Sequence, residues 1–491
     1  MSWGGSPDPS RSRFGRPRSS GSACAPRSGR SCENLSVLNG YISHWYDGLP
    51  TPRSFLPGSR DADVCIVGAG YTGLWTAYYL KKADPSLRIV VLEARFAGFG
   101  ASGRNGGWLS GLVPGDRERM ARQYGRDGVV AWQRALNEAV DEVIDIAAKE
   151  GIDAGIVKGG TLEIARNRAQ AARLAAAAAA ERRWQVDGIE ELSRDEARQR
   201  IQLSDVVAAY HNPHCARIQP AQLVRGLADT VAALGVDIYE RSPVVEIAPG
   251  RAVTPRGTVT APIVLRATEG FTAGLPGLKR RWLPMNSSMI ATDPIPAHVW
   301  DAIGWQGSET LGDTAHGFFY AQRTVDDRIA IGGRSVPYRF GSRTDRDGRV
   351  PERTITALTA ALRTVLPQVS DIGIAHGWCG VLAVPRDWEA TVDFDRASGL
   401  GWAGGYVGHG VTATNLAGRT LVDLVLGRAT PLTELPWVGH RSAQWEPEPL
   451  RWLGVRGMYL AYKAADWHEA RGRTTTSPIA VVADKIAGRP H

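Results

Sequence analysis

Short apolar runs alternate with longer amphipathic stretches along most of the chain, the pattern of buried strands joined by helices. The first clear unit spans residues 63–107. An apolar run at 64–67 is followed at once by the glycine turn Gly68-Ala69-Gly70-Tyr71-Thr72-Gly73, and residues 72–82 then read as a helix. A second apolar run, 88–92, ends in Glu93, as far past Gly73 as a ribose-binding acid belongs. Strand, glycine turn, helix, strand and acid come in the order a dinucleotide site requires. Gly68 permits the tight turn, Gly70 lets a pyrophosphate approach the backbone, and Gly73 lets the helix pack on the strand. Glu93 can accept the adenosine ribose hydroxyls, and the helix N-terminus offers N–H groups to the phosphates. Gly399, Gly401 and Gly404 repeat the glycine spacing, but no helix opens there and no strand-end acid follows.

A second glycine loop, Gly100-Ala-Ser-Gly-Arg-Asn-Gly-Gly107, is too irregular for a helix. Residues 116–150 read as one long helix, with Trp132, Leu136, Val140, Val143, Ile144 and Ala147 on a face and Gly151 as its stop. Residues 155–166 read as a hairpin, and the alanine run at 175–180 lies within a helix. Residues 219–234 form another helix, followed by strands at 236–239, 243–247 and 263–267. From 275 to 377 the pattern changes to β-type alternation with turn signals, at 318–321 and 328–333, and then a helix at 353–366. Residues 399–427 return to strand, glycine turn and helix. Residues 431–491 begin rich in Trp and Pro, where they pack on the body, and their last fifteen are expected to fray.

The 491 residues suffice for two or three domains, and 43% hydrophobic with 22% charged is an ordinary globular balance. No apolar run is long enough to span a bilayer. The stretch 1–32 holds six Arg and one Asp and so carries +5 of the net +8, so the basic charge argues little for nucleic acid. Residues 1–33 lack apolar content and are expected to be disordered, either a plain extension or a transit-type segment. Five scattered cysteines suit a reducing compartment, and the expectation is a cytoplasmic protein without a membrane anchor.

Three stretches together, the 67–73 turn with Glu93, the GASGRNGG loop, and Gly404-Gly-Tyr-Val-Gly-His-Gly-Val-Thr-Ala-Thr-Asn-Leu-Ala-Gly418, resemble the D-amino-acid oxidase-like FAD-dependent oxidoreductases. The loop form is most similar to the γ-glutamylputrescine oxidase branch, beside glycine and sarcosine oxidases. The resemblance implies an α/β (overall α+β) fold: a Rossmann-type FAD-binding domain from residues 34–154, 207–274 and 378–430, with an inserted antiparallel-sheet substrate domain from 155–206 and 275–377 and a C-terminal extension from 431. It implies that Gly68, Gly70, Tyr71, Thr72, Gly73, Glu93, Ala94 and Arg95 hold the ADP half of FAD. Ala101, Ser102, Arg104, Asn105, Gly106 and Gly107 would follow the pyrophosphate and pass under the flavin ring. Val244 would meet the adenine, and Thr268 the pyrophosphate; Glu269 stands where relatives often carry Asn or Gly. Gly405, Tyr406, Gly408, His409, Gly410, Val411 and Thr412 would border the pyrimidine edge, where the positive end of the helix stabilises a reduced, anionic ring.

The implied reaction is oxidation of a C–N bond of a small amine or amino acid, with O2 as acceptor. A dehydrogenase with a quinone or carrier-protein acceptor, and a non-catalytic flavin protein, stay open as alternatives. Tyr320, His376 and His409 are the catalytic candidates, with Arg323, Arg334, Trp378, Trp388 and Glu389 beside the substrate; for each, a purely structural role competes. Cys379 falls one residue short of the position at which sarcosine-oxidase relatives tether flavin, which Gly380 occupies, so FAD is expected to be non-covalent. Cys215 with His211 and His214 has loose metal-ligand spacing but no fourth ligand, and no metal is expected.

Overall fold

The computed structural model describes residues 37–333, 338–345 and 347–489. The expected N-terminal extension and Arg334 lie outside the described residues.

The apolar run Val64–Val67 is buried along its whole length, and its residues divide by parity. Val64 and Ile66 face a helical layer with Leu74, Leu223, Val224 and Leu227. Cys65 and Val67 face Ala252 and Val259 of a small meander, Glu246–Ala248, Arg251–Thr254 and Gly257–Thr260. The strand lies in a six-stranded sheet ordered Asp237–Tyr239, Ile89–Leu92, Val64–Val67, Ile263–Arg266, Leu400–Gly404, Thr391–Asp395. All joints are parallel except the last. Helix Tyr71–Ala83 packs against Pro220–Ala233 and Gly410–Leu426. The second of these contacts is close: a Cβ on Gly418 would lie 2.9 Å from Cβ of Trp75.

The second sheet has nine strands, ordered Leu38–Asn39, Ile374–Val384, Leu283–Thr292, Ile329–Gly333, Phe319–Arg323, Thr310–Asp313, Thr161–Ala165, Ala208–Asn212, Glu190–Ser193. It is mixed rather than purely antiparallel, because Thr310–Asp313 runs parallel to Thr161–Ala165 and Leu38–Asn39 parallel to Ile374–Val384. It also takes in Ala208–Asn212, from the segment expected in the FAD-binding domain, and the whole of Ile374–Val384, which runs across the expected limit between 377 and 378. One face carries Leu162, Ile164, Leu311 and Ile331 into a core with Trp300, Ile303, Leu358 and Leu362 of helices Ala297–Ile303 and Glu352–Val365. The other face receives the second glycine loop.

Three sequence expectations give way. No hairpin forms at 155–166, because Thr161–Ala165 finds its partners at Ala208–Asn212 and Thr310–Asp313. The helix expected over 116–150 is two, Arg117–Tyr124 and Arg126–Lys149, broken at Gly125 with φ +83°. The chain end does not fray through its last fifteen residues: Leu450–Glu469 and Pro478–Ala487 are helices, joined by a 2.6 Å bond from the Tyr462 hydroxyl to Asp484.

Glu469 anchors the first of these helices to the body. It accepts bonds from Arg173 at 2.8 and 2.9 Å, from His316 Nε2 at 2.9 Å and from the Ser477 amide at 2.8 Å. Burial alone would raise its pKa, but these donors outweigh it and hold the carboxyl at about 2. The native state therefore gains stability from ionised Glu469 above the ordinary carboxyl range and loses it as pH falls toward 2. Glu469→Gln is expected to speed amide exchange across residues 450–489 at neutral pH. The difference from the parent should shrink on acidification.

Candidate functional site

Gly68 sits at φ +107°, where a Cβ would lie 2.5 Å from the Ala267 carbonyl oxygen. Its amide donates to the Leu92 carbonyl at 2.8 Å, which fixes the turn to the neighbouring strand. A Cβ on Gly73 would lie 2.0 Å from the Gly68 oxygen, so the helix starts as close to the strand as glycine allows. Helix Tyr71–Ala83 opens with no cap of its own and no acid in its first turn, and Gly410–Leu426 opens the same way after His409. Both N-termini are thus suited to anions. At the second, Thr412 is fully buried, and among the described residues its hydroxyl has no hydrogen-bond partner.

Glu93 accepts from the Ala69 amide and the Arg95 amide, each at 2.9 Å, and so ties the end of its strand to the glycine turn. Burial pushes its carboxyl up, against these bonds. Ala94 and Arg95 are exposed beside it. The 241–244 segment runs alongside, with the Ser242 amide on the Glu93 carbonyl at 2.8 Å, and brings Val244 to this end of the sheet.

The second glycine loop fastens to the first and to the nine-stranded sheet. Ser102 Oγ accepts the Tyr71 amide at 2.9 Å, next to Ala101 in a short 3-10 turn. Asn105 donates to the Ala101 and Ser102 carbonyls and accepts the Gly107 amide at 2.8 Å. Arg104 is buried, with Nε on the Phe99 carbonyl at 2.7 Å and Nη1 3.4 Å from Asp345, so its guanidinium fixes the loop. Trp45 and Trp378 donate to the Asn105 and Arg104 carbonyls. Gly106 presses on the Tyr320 ring, where a Cβ would come within 2.9 Å, and Gln322 donates to the Gly106 carbonyl at 2.8 Å.

The third loop closes the site. Gly405 and Gly408 have φ of +78° and +103°. Tyr406 is buried, and its hydroxyl bonds Thr72 of the first helix at 3.1 Å. Half-buried His409 precedes Gly410, Val411 and Thr412 at the helix start.

The residue that sequence reading undervalued is Glu269. It follows Thr268, whose hydroxyl bonds Thr272, and it has φ +40°. Its carboxylate takes the Ala383 amide at 3.2 Å and the Gly405 amide at 2.9 Å. Burial pushes it up to about 7, while the amides of Gly405, Ala383 and Tyr406, and then Arg266, pull the other way. It therefore holds the third loop from within. Its only sequence signal is a charge at the end of an apolar strand.

The substrate-side candidates separate. Tyr320 lies on the open face, its hydroxyl 2.7 Å from Ser287. His376 is buried, its ring edge-on to that of His44, with Nε2 donating to the Gly40 carbonyl at 2.6 Å. Trp378 packs edge-on to Trp45. Arg323 reaches Asp327 at 2.7 Å and lies over the Trp300 ring. Trp388 donates to Ala487, and Glu389 pairs with Arg119 and His440. His211, His214 and Cys215 turn to separate partners: Gly159, Asp187 and Thr310.

Comparison with known proteins finds relatives in sequence and in fold. The chain is similar to gamma-glutamylputrescine oxidoreductase of Escherichia coli (strain K12), 30% identical over 405 residues, 80% of this chain and 91% of the relative. It is similar to a probable oxidoreductase, OrdL, of Haemophilus influenzae, at 27% over 80% of this chain and 90% of that one. In fold it resembles the crystal structure of glycine oxidase from Geobacillus kaustophilus, with a TM-score of 0.64 at 22% identity, covering 78% of this chain and 99% of that one. L-proline dehydrogenase from P. horikoshii gives a TM-score of 0.63 at 19% identity over 78% and 98%. Uncapped helix starts, glycines without room for a side chain, and an orphaned Thr412 hydroxyl fit a flavin dinucleotide. Residues 63–424 match the family of FAD dependent oxidoreductases, and the chain belongs to that family, with FAD as its cofactor.

Proposed function

We propose that the protein oxidises the C–N bond of a small amine or amino acid and passes the electrons to O2, releasing H2O2. The observation that carries this is the seating of Tyr320 and Gln322 directly on Gly106 and Gly107, which places one face of the nine-stranded sheet over the loop that follows the dinucleotide. FAD, when bound, supplies the acceptor for a hydride from the carbon bearing nitrogen. Ser102, Tyr71 and Thr72 would hold its phosphates, Glu93 its ribose, and Gly405 to Thr412 its ring edge. Tyr320 would orient substrate through its hydroxyl, and His409, at a helix start, would hydrogen-bond the ring. The imine product hydrolyses in water. The likeness to gamma-glutamylputrescine oxidoreductase, 30% identical, supports an amine as donor.

FAD is held without a covalent bond in this reading. Cys379 is buried, and burial first of all pushes its thiol up to about 12. Gly380 instead faces the loop, its Cβ position 3.1 Å from Cβ of Arg104. The described cysteines, Cys65, Cys215 and Cys379, are all buried and unbridged, which supports a cytoplasmic setting. Among the described residues no helix is long and apolar enough to cross a membrane.

The test is an anaerobic screen of amines, N-methyl amino acids and D-amino acids against the yellow protein. At least one compound should bleach the flavin, and air should restore it with one H2O2 per turnover. Bleaching without peroxide would sink the oxidase reading, and no bleaching at all would sink the enzyme reading. Acid precipitation should leave the colour in the supernatant.

A further inference from the structure

One row of residues crosses the nine-stranded sheet beneath the site. Glu163, Gly312, Tyr320, Gly332 and Met289 are successive register partners on five strands. Directly paired residues point to the same face, so Glu163 shares the Tyr320 face, the one that meets Gly106. Its neighbours Leu162 and Ile164 point the other way, into the core.

The two glycines in the row let larger side chains lean across them. A Cβ on Gly332 would lie 2.2 Å from Cζ of Tyr320, whose ring covers it. A Cβ on Gly312 would lie 2.6 and 2.7 Å from the two carboxylate oxygens of Glu163. The Glu163 carboxylate therefore rests over Gly312, one strand away from Tyr320. It is half-buried, and among the described residues no hydrogen bond or ion pair reaches it. A half-buried carboxylate with neither protein donor nor cation is a place that a cationic ligand can fill. Among the described residues the titratable groups coupled to it are Tyr210, its register partner on the same face, Asp313 and Cys215, none of them a cation.

We propose that Glu163 binds the distal ammonium group of a substrate that carries a second cationic centre, a diamine-type chain whose other nitrogen reacts beside Tyr320. The proposal rests on the amine-oxidising reading above. The spacing suits it: Glu163 lies two strands from Tyr320, roughly 10 Å of backbone separation, shortened by its lean over Gly312, which leaves a few methylenes between the two nitrogens. A cationic far end draws the group into its ionised form, whereas an anionic far end finds no cation there, so the site favours the diamine-type chain. Burial, with Asp313 beside it, pushes the Glu163 carboxyl up to about 8, so a cation arriving near neutral pH should displace a proton.

The test is anaerobic calorimetry on the flavin-loaded protein with 1,4-diaminobutane, butylamine and 4-aminobutanoate. The parent should bind the diamine roughly tenfold or more tighter than butylamine, the size of one charge-assisted hydrogen bond, with a proton released in buffers of different ionisation heat. Glu163→Gln should lose that preference and the proton release while butylamine binding stays unchanged, and above pH 8, where the parent's carboxyl is ionised, it should bind 4-aminobutanoate better than the parent. Glu163→Asp, which keeps the charge on a shorter arm, should retain part of the preference. Equal binding of diamine and butylamine by the parent, or an intact preference in Glu163→Gln, overturns the proposal. If Glu163→Gln does not retain flavin, the parent's preference and the Glu163→Asp result decide. A failure of every amine to bind or to bleach the flavin would instead reject the amine reading itself.

Discussion

Replacing Gly73 by alanine is expected to give a protein that purifies colourless and melts well below the parent. The added Cβ would lie 2.0 Å from the Gly68 oxygen and 3.2 Å from Cγ2 of Ile66. The backbone neighbour cannot yield. The Gly68 amide is bonded to Leu92 at 2.8 Å, and the position of its own missing Cβ is 2.5 Å from the Ala267 carbonyl. The helix must therefore lift off the strand. Overpacking of this kind costs about 1–3 kcal/mol when side chains can adjust, and the obstacle here is backbone. Lifting the helix also displaces the Tyr71 and Thr72 amides from the site where the phosphates are expected. The check is the flavin-to-protein absorbance ratio with a thermal melt; a yellow protein with the parent's melting temperature would refute it.

Glu269→Leu is expected to have the second-largest effect, through the third loop. Leucine fills the space but leaves the amides of Ala383, Gly405 and Tyr406 without their acceptor. An orphaned buried donor costs about 1–3 kcal/mol, so several kcal/mol of local stability are at stake. Fast amide exchange at Gly405 and Tyr406, with weaker flavin retention, is the expected readout; parent-like protection would refute it. The parent should also show a pH signature. Its folded-state carboxyl, pushed up by burial to about 7, binds its proton more tightly than the unfolded chain does. Stability from this group is complete below the ordinary carboxyl range and falls as pH rises toward 7. Glu269→Leu should lack that slope.

The dinucleotide unit was legible because its constraints are local. A strand, a left-handed glycine and an acid at the end of the next strand are each dictated within one stretch of chain. Glu163 was not legible. In Thr161–Ala165 it reads as the outward position of an alternating strand, and only pairing with the sequence-distant Thr310–Asp313 shows that outward means toward the site. The C-terminal helices escaped for another reason. The buried stripe of Leu450–Glu469 begins at Arg451 and ends at Glu469, two charged residues that a hydrophobic pattern counts as exposed. Glu269 looked like a misfit against the family pattern because its partners are backbone amides, which carry no sequence signal.

The order of strands in the six-stranded sheet has a consequence for biosynthesis. Ile263–Arg266 lies between Val64–Val67 and Leu400–Gly404, so the glycine turn made first is completed by a strand made last. The Thr72 to Tyr406 bond spans 334 residues. A ribosome must release nearly the whole body before these contacts can form, which makes folding slow and leaves early strands exposed. Cofactor capture is thereby a late checkpoint of synthesis, and a nascent chain arrested before Leu400 should hold no flavin however well its first strands and helix have folded.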